Sequence, residues 1–194
     1  MKFDLWFPTA ILSDTVEDHE SINSELLKRI EDIRQTIPTG GVNWLGKPYN
    51  TCGTFDISTD PAFEKILNEI TKRVNHFANR LGVDTTRNKF KAGEGWLNIY
   101  SQSDFQEFHH HAGYQFSAVY YVKTPEKSSE LIFETPVPPD MNPLPVMLHS
   151  YLTDQRARYA ATAGEVIIFR SNIRHCVPSH QGTDERISLA FNFK

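Results

Sequence analysis

The stretch Phe108-His109-His110-His111-Ala112-Gly113 decides the fold prediction, because it lies in the half of the chain where apolar and polar residues alternate. Alternation of this kind predicts short β-strands, in which side chains two residues apart point to the same face. We therefore expect His109 and His111 to converge on one point and His110 to point to the opposite face. Because histidine is the commonest metal ligand in proteins, the pair predicts two ligands of a metal site.

A second segment near the C-terminus supplies the residues that would complete such a site. It contains the apolar run Gly164-Glu165-Val166-Ile167-Ile168-Phe169, then His175, and then a strand-like sequence that begins Arg186-Ile187-Ser188. A third histidine from a distant strand would complete one triangular face of a metal ion. Arg186 would place a fixed cation beside the metal, and Ser188 would share its face of the strand.

Each of these residues also has an ordinary structural explanation. A run of histidines can be a surface feature, and Arg186 can pair with Asp184 or Glu185 beside it. The order of a histidine pair, a long gap, a histidine and then Arg-x-Ser on an apolar strand is much rarer by chance. We therefore predict that the pair and His175 bind one metal ion.

The strand-rich part of the chain extends from residue 88 to residue 194, and Gly, Pro, Ser and Asp separate its segments. The predicted strands are 90–100, 105–111, 115–123, 130–134, 146–150, 157–161, 165–170, 173–178 and 186–193. The proline-rich segment 136–145 is predicted to be a loop, because proline has no N–H to donate to a sheet.

The N-terminal part, residues 1–87, is predicted to be mainly helical. Residues 17–36 carry an apolar stripe at helical spacing. A second helix is expected to start at Asp60-Pro61, with proline in its first turn, and to end before Gly82.

Two further N-terminal segments are not helical. Residues 3–12 are predicted to form an edge strand, because Pro8 would interrupt a central ladder. The irregular stretch 39–60 is long enough to be a functional loop, with a plain surface loop as the alternative.

Together the elements predict an α+β fold in a single domain, residues 1–194. Its N-terminal helices would pack on one sheet of a double-stranded β-helix (a cupin-like jelly roll) formed by residues 88–194.

The composition excludes several classes of protein. A hydrophobic fraction of 39% and a charged fraction of 23% are typical of a packed domain. The net charge of −4 argues against nonspecific nucleic-acid binding, and no apolar run approaches the roughly 20 residues of a membrane span. The first residues lack the apolar core of a signal peptide, and Cys52 and Cys176 form no Cys-x-x-Cys motif. We expect a cytoplasmic protein with no nucleic-acid or membrane partner.

The C-terminal part resembles the 2-oxoglutarate/Fe(II)-dependent dioxygenase superfamily, in which His-x-Asp/Glu, a distant His and Arg-x-Ser follow one another. It is more similar to a group of small members in which His-x-His-Pro-Gly precedes Ser-Gly-Val-Tyr-Tyr. Here the two segments read His109-His110-His111-Ala112-Gly113 and Ser117-Ala118-Val119-Tyr120-Tyr121, and the C-terminal match includes Glu185-Arg186-Ile187-Ser188-Leu189-Ala190-Phe191-Asn192. The resemblance covers roughly residues 95–194.

The resemblance implies an enzyme that uses Fe(II) and 2-oxoglutarate to hydroxylate an unknown substrate. His109 and His175 correspond to metal ligands of the superfamily. Arg186 corresponds to the clamp for the far carboxylate of 2-oxoglutarate, with Ser188 as its helper, and a guanidinium suits this role because its fork matches a carboxylate. Asn98 and Tyr100, on the strand before the ligands, are further candidates for contacts with 2-oxoglutarate.

The sequence departs from the superfamily at His111, where a carboxylate is usual. His111 can be the ligand itself, which gives a three-histidine site. It can stand aside, with His110-x-Ala112 imitating halogenase-like members that have a small residue there, or Asp104 or Glu107 can reach the metal. The first alternative is favoured, because the match to the small family fixes the register and a shift by one residue would turn every side chain over.

Two functions of other classes remain as alternatives. One is a non-catalytic cupin-like protein that binds a metal or a small molecule, and the other is a cofactor-free jelly roll that binds or isomerises sugars. Arg186 has no evident purpose in the second. If His175 is not a ligand, His149 and His180 are the next histidines to consider, and both are expected at the surface.

The substrate is expected to be a small molecule or a peptidyl side chain. Candidate walls of its site are the loops 39–60 and 136–145, with the aromatic residues Trp44, Tyr49 and Trp96. An edge strand near the N-terminus would permit pairing in a homodimer. Tyr120 and Tyr121 alternate in facing, so only one of them is expected to point into the site.

Overall fold

The computed structural model describes residues 1–2, 4, 6–41, 43–137 and 153–194, and the fold is given for these residues. Helices α1 and α2 span His19–Thr36 and Glu64–Arg80. The strands are β1 Ile11–Thr15, β2 Tyr49–Asn50, β3 Ala92–Tyr100, β4 Gln106–His109, β5 Phe116–Lys123, β6 Leu131–Glu134, β7 Arg156–Tyr159, β8 Glu165–Arg170, β9 His175–Val177 and β10 Arg186–Phe193. None of the described helices has the length and apolar character needed to cross a membrane.

The strands form two antiparallel sheets that pack against each other. The larger sheet has the order β1-β8-β5-β10-β3-β2, and the smaller has the order β4-β9-β6-β7. Side chains from both sheets, among them Tyr121, Phe133 and Phe169, share one apolar core. This is the predicted α+β architecture, a double-stranded β-helix with helices on one sheet.

Helices α1 and α2 cover the outer face of the larger sheet. Their buried positions repeat at helical spacing, with Ile22, Leu26, Ile30 and Ile33 on α1 and Ile66, Ile70, Val74 and Phe77 on α2. The N–H of Ala62 donates to the Asp60 side chain in a 3₁₀ turn, Pro61–Phe63, that leads into α2. Both predicted helices are therefore confirmed, with α1 starting two residues later than the predicted residue 17.

Strand β10 lies between β3 and β5 and is buried along its whole length. Its odd-numbered residues, including Leu189 and Phe191, belong to the core beneath the helices. Its even-numbered residues therefore point to the other side, toward the smaller sheet, because side chains alternate along a strand. Arg186 and Ser188 are on that second face, in register with Tyr100 and Asn98 of β3.

Three segments differ from the prediction or cannot be compared with it. The edge strand predicted at 3–12 is instead β1, which pairs with β8 at the edge of the larger sheet; it starts beyond Pro8, which cannot join a ladder. The stretch 39–60 is not irregular throughout, because Tyr49 pairs with Ile99 and Asn50 with Asn98. The predicted strand 146–150 and most of the proline-rich loop 136–145 lie outside the described residues.

The hydroxyl of Tyr120 connects the larger sheet to α1, so its removal should destabilise the protein. Tyr120 Oη donates to Asn23 Oδ1 at 2.7 Å, and both residues are buried. Tyr120→Phe would leave the Asn23 acceptor without a partner, which costs about 1–3 kcal/mol. We expect a decrease of this size in the free energy of unfolding, measured by urea denaturation. The matched control is Tyr121→Phe, whose hydroxyl has no partner among the described residues and whose loss should change stability little.

Candidate metal centre

Three histidines converge between the two sheets. His109 ends β4, His175 starts β9, and the two are paired across the smaller sheet. His111 follows two residues after the end of β4. The ligand atoms of the three side chains lie within 4.8 Å of one another, and their ring centroids are 4.3 to 5.1 Å apart. The predicted convergence is present, and one metal ion can contact all three rings.

Backbone carbonyls select the tautomer of two of these histidines. His109 Nδ1 lies 2.8 Å from the carbonyl oxygen of Glu107, and His175 Nδ1 lies 3.0 Å from that of Ile173. Because a carbonyl oxygen only accepts, each Nδ1 must carry the proton and donate. The lone pair is then on Nε2, which is the arrangement that orients a histidine toward a metal.

His111 is positioned by a buried polar network rather than by a strand. Its backbone N–H donates to the carbonyl of Ser171 at 2.9 Å. The Ser171 hydroxyl bonds to that of Ser117 at 2.9 Å, and Ser117 Oγ donates to Asn192 Oδ1 at 2.7 Å. Because β4 ends at His109, the prediction that this strand would continue to residue 111 was wrong. His111 nevertheless reaches the other two histidines.

Burial keeps the three histidines uncharged. Desolvation lowers the pKa of His109, lowers that of His111 to about 3 and lowers that of His175 well below its usual value. The neighbouring histidines lower the pKa of His111 and His175 further by charge repulsion. Neutral imidazoles are the form that binds metals, so the site is ready for an ion at neutral pH.

The other candidate ligands have different surroundings. His110 is exposed. The carboxylate of Asp104 accepts the N–H of Ser101 at 2.8 Å, and that of Glu107 accepts backbone N–H groups from another segment. The expectation that His180 is at the surface was wrong, because it is 0% exposed, with Nε2 2.8 Å from the carbonyl of Asp184. His149 lies outside the described residues.

Arg186 is a buried cation without a counter-ion in the described part of the chain. It is 1% exposed, its Nε donates to the carbonyl of Ser129 at 3.2 Å, and its Nη1 donates to Ser188 Oγ at 3.2 Å. Its Nη2 has no hydrogen-bond partner among the residues that the structure describes. The alternative that Arg186 pairs with Glu185 was wrong, because Glu185 pairs with Arg34. A buried charge is costly unless it is paired, so the cavity requires an anion.

The histidines and Arg186 line one cavity between the sheets. The predicted contacts Asn98, Tyr100 and Ser188 line it too, as do the two tryptophans named as substrate walls, Trp44 and Trp96. Trp44 lies 6.2 Å from the ring of His109, and Trp96 lies 5.4 Å from that of His111. Tyr49 does not fit the same description, since its hydroxyl donates to the carbonyl of Ile37 at 3.0 Å and its ring packs against the helical core.

Two polar side chains of this region were not among the predicted ligands or cofactor contacts, although Tyr121 had been named with Tyr120 as a residue that could point inward. Tyr121 lies with its ring 5.0 Å from the guanidinium of Arg186, and its hydroxyl has no partner among the described residues. Gln106 lines the cavity, and its Oε1 is also buried without a partner. Alternation along β5 does separate Tyr120 from Tyr121, so the expectation that one of them points inward is confirmed. Gln106 had no comparable signal.

Comparison with known proteins gives one family match. The model of a family described as "Putative 2OG-Fe(II) oxygenase" matches residues 94–192 of this chain. This range contains the three histidines, Arg186 and the other residues that line the cavity, with the exception of Trp44. No curated protein matches the sequence.

Solved structures of low sequence identity share the fold. A prolyl-4-hydroxylase from Pseudomonas putida is 15% identical, with coverage of 96% of this chain and 92% of that one and a TM-score of 0.64. The viral collagen prolyl hydroxylase of Paramecium Bursaria Chlorella virus-1, in complex with 2OG, is 12% identical, with coverage of 93% and 94% and a TM-score of 0.55. HygX from Streptomyces hygroscopicus, with nickel, 2-oxoglutarate and hygromycin B bound, is 12% identical, with coverage of 95% and 82% and a TM-score of 0.62.

The partly or fully buried neutral histidines should make the metal-free protein less stable as the pH falls. In the unfolded chain a histidine has a pKa of about 6.5, whereas in the folded protein the pKa of His111 is lowered to about 3. The unfolded state therefore binds more protons between these values. The free energy of unfolding should fall with decreasing pH, by up to about 1.4 kcal/mol per unit for each such histidine.

Urea denaturation of the metal-free protein from about pH 7 to about pH 4.5 measures this dependence. Carboxylates with a lowered pKa, such as Glu69, add to the slope near the lower end of this window, because an unfolded glutamate begins to take up protons there, so the comparison with a histidine variant isolates the contribution of His111. The slope measures the number of protons taken up on unfolding, and His111→Gln should reduce this number by about one. An unchanged slope in this variant would contradict a neutral, buried His111.

Proposed function

The chain belongs to the 2OG-Fe(II) oxygenase family whose model matches residues 94–192, and we propose that its three clustered histidines hold the iron while Arg186 anchors 2-oxoglutarate. Fe(II) and 2-oxoglutarate are the cofactors of this oxygenase. The observation that carries the proposal is the guanidinium of Arg186, which lies in the same cavity as the histidines and whose Nη2 has no partner among the described residues. We further propose that the reaction is the hydroxylation of a C–H bond.

The residues present fit an iron ion. Three imidazoles on one side of the cavity leave the opposite side open, which an oxygenase requires for dioxygen and for its co-substrate. Their ligand atoms are close enough for one ion, and two of the rings are fixed by backbone carbonyls. This arrangement supports His109, His111 and His175 as the ligand set, with no carboxylate among the ligands.

The residues around Arg186 fit a carboxylate of 2-oxoglutarate. The Nη2 of Arg186 and the hydroxyl of Tyr121 are donors that lack an acceptor among the described residues, and Ser188 and Asn98 lie on the same side of the larger sheet. Burial raises the pKa of Tyr121 and raises that of Tyr100 to about 12, so both phenols are protonated at neutral pH. We propose that Arg186 and Tyr121 bind the far carboxylate, and that Ser188 orients the guanidinium.

When bound together, Fe(II) and 2-oxoglutarate supply an oxidation in which dioxygen hydroxylates a C–H bond and 2-oxoglutarate leaves as succinate and carbon dioxide. The protein contributes orientation and exclusion of water. Arg186 and Tyr121 fix one end of the co-substrate, and the histidines fix the metal at the other. Trp44 and Trp96 cover the rings of His109 and His111, so they limit the access of water to the metal.

The substrate is proposed to be a small molecule or a peptidyl side chain. The similar solved structures include two prolyl hydroxylases, which are named for a peptidyl side chain, and HygX with the small molecule hygromycin B bound. The alternative of a non-catalytic binding protein is tested directly by oxygen uptake. Iron-loaded protein that binds 2-oxoglutarate but never converts it to succinate, with a broad panel of candidate substrates, would favour the alternative.

Removal of the proposed anchor should weaken the binding of 2-oxoglutarate. In Arg186→Ala the carboxylate loses a partner in a partly dry cavity, which costs about 2–5 kcal/mol. We expect the affinity for 2-oxoglutarate to fall at least tenfold (about 1.4 kcal/mol) with little change in metal content. Arg186→Lys should recover only part of the loss, because an ammonium lacks the fork. Anaerobic calorimetry of iron-loaded protein measures all three affinities.

Tyr121→Phe is the subtler test of the same anchor, since it keeps the charge and the packing of the ring. We expect weaker binding of 2-oxoglutarate and unchanged stability, because the hydroxyl has no partner within the described chain. Equal affinity of Arg186→Ala and the parent protein would remove the role of Arg186. Equal affinity of Tyr121→Phe would remove Tyr121 alone.

Substitutions at His111 should separate a three-histidine site from the other ligand sets. His111→Asp would restore the ligand type that is usual in the superfamily, so we expect it to retain iron. His111→Ala should lose most of the iron affinity, because only two ligands remain. His110→Ala is the matched control, since His110 is the exposed neighbour and should be dispensable. Iron affinity under anaerobic conditions is the measurement, and tight binding by His111→Ala would show that His111 is not a ligand.

A further inference from the structure

We propose that Glu107 is a positioning residue for the substrate side of this cavity. Its carboxylate holds the segment Trp44–Gly46 above the metal face, and it turns the amide of Gln106 so that a hydrogen-bond acceptor faces the cavity. The proposal rests on the proposed function, because it concerns the same site. It gives Glu107 a role other than that of a metal ligand.

The Glu107 carboxylate is the polar anchor of the Trp44 segment. It accepts the backbone N–H of Leu45 at 2.9 Å and that of Gly46 at 3.3 Å. Hydrogen bonds from backbone groups to an ionised carboxylate are among the stronger ones in proteins. Leu45 is exposed, so burial of its side chain does not hold the segment in place.

Gly46 allows this segment to lie directly against β4 and its preceding residue. A Cβ atom at this position would lie only 1.8 Å from the carbonyl oxygen of Phe105, so no residue with a side chain fits here. The close backbone approach brings the N–H groups of Leu45 and Gly46 within reach of Glu107. Glycine and carboxylate together therefore form one clasp between the segment and β4.

The clasp sets the position of an aromatic wall. Trp44 immediately precedes the two anchored amides, lines the cavity and lies 6.2 Å from the ring of His109. The backbone carbonyl of Glu107 meanwhile accepts from His109 Nδ1 at 2.8 Å. One residue thus holds a proposed metal ligand through its main chain and the wall above that ligand through its side chain.

Glu107 also fixes the orientation of the Gln106 amide. Gln106 Nε2 donates to Glu107 Oε2 at 3.0 Å, and a carboxylate can only accept. The amide oxygen is therefore directed away from Glu107. It is buried and has no partner among the described residues, and the Gln106 side chain lines the cavity. Because dianionic 2-oxoglutarate has only acceptors, this oxygen does not suit the co-substrate. It suits a substrate that carries an N–H or O–H donor.

The variant Glu107→Gln tests the clasp with almost no change in volume. Three N–H donors now share two anionic oxygens, whereas a glutamine offers one neutral oxygen and adds an N–H that opposes them. The matched control is Glu130→Gln, which removes a carboxylate that pairs with Arg158 next to the same sheet and touches neither the segment nor Gln106. Both proteins are studied metal-free and with Zn(II), a diamagnetic ion, and 2-oxoglutarate bound.

Three measurements follow the clasp without any substrate. Amide hydrogen exchange by NMR should become at least about tenfold faster at Leu45 and Gly46 in Glu107→Gln and stay unchanged in the control. The fluorescence of Trp44 is identified as the part of the emission that disappears in Trp44→Phe. Acrylamide should quench this part more strongly in Glu107→Gln than in the parent protein. The side-chain amide signal assigned to Gln106, which disappears in Gln106→Leu, should shift or broaden.

Measurements of metal and 2-oxoglutarate affinity distinguish a positioning role of Glu107 from a direct role in binding the metal or the co-substrate. We expect both affinities in Glu107→Gln to stay within about threefold of the parent protein, because the carboxylate is not a ligand. Unchanged exchange and quenching would overturn the clasp. A loss of metal binding equal to that of His111→Ala would overturn the positioning role and make Glu107 part of the metal centre. A parent protein that binds neither Zn(II) nor 2-oxoglutarate would refute the proposed function, while the exchange comparison of the metal-free proteins would still test the clasp.

Discussion

The alternation of side chains along β10 is the constraint on which the rest of the structure depends. This strand is buried on both faces, so its two sets of side chains must satisfy two different environments. Leu189 and Phe191 complete the core under the helices, whereas Arg186 and Ser188 face the cavity. A shift of one residue would bury the arginine among the helices and leave the cavity apolar, so the packing of the core and the chemistry of the site fix the same register.

The same alternation explains how a small apolar core tolerates a buried cation. The rings of Tyr100 and Tyr121 lie 4.8 and 5.0 Å from the guanidinium of Arg186, on either neighbouring strand, and offer it their faces. Such contacts and two hydrogen bonds reduce the cost of burial but do not provide a negative charge. The apo protein therefore keeps a destabilising feature that an anionic ligand relieves, which is the usual relation between an active site and stability.

Much of this arrangement could be predicted from the sequence, because it depends on short-range periodicity. The helical stripes, the alternating strands and the order of the histidines before Arg-x-Ser are local patterns. The edge strand was misplaced and His180 was wrongly expected at the surface, because pairing with a distant strand and burial by distant residues leave no local signal. Glu107 illustrates the limit: its contacts with Leu45 and Gly46 join positions about sixty apart in the chain.

The choice of histidine at position 111 changes what the scaffold has to supply. With three neutral imidazoles, the loaded site would combine an ion of charge +2, Arg186 of charge +1 and a co-substrate of charge −2, whereas a carboxylate ligand would cancel the remaining charge. Neutral ligands attract the cation less strongly, so more of the affinity must come from preorganised geometry. The structure provides this through the Nδ1 contacts of His109 and His175 and through the network from Ser171 to Asn192 that holds His111. In the proposed three-histidine site the extra positive charge would act on the dianion, because neutral ligands would leave the charge of the metal without an offset.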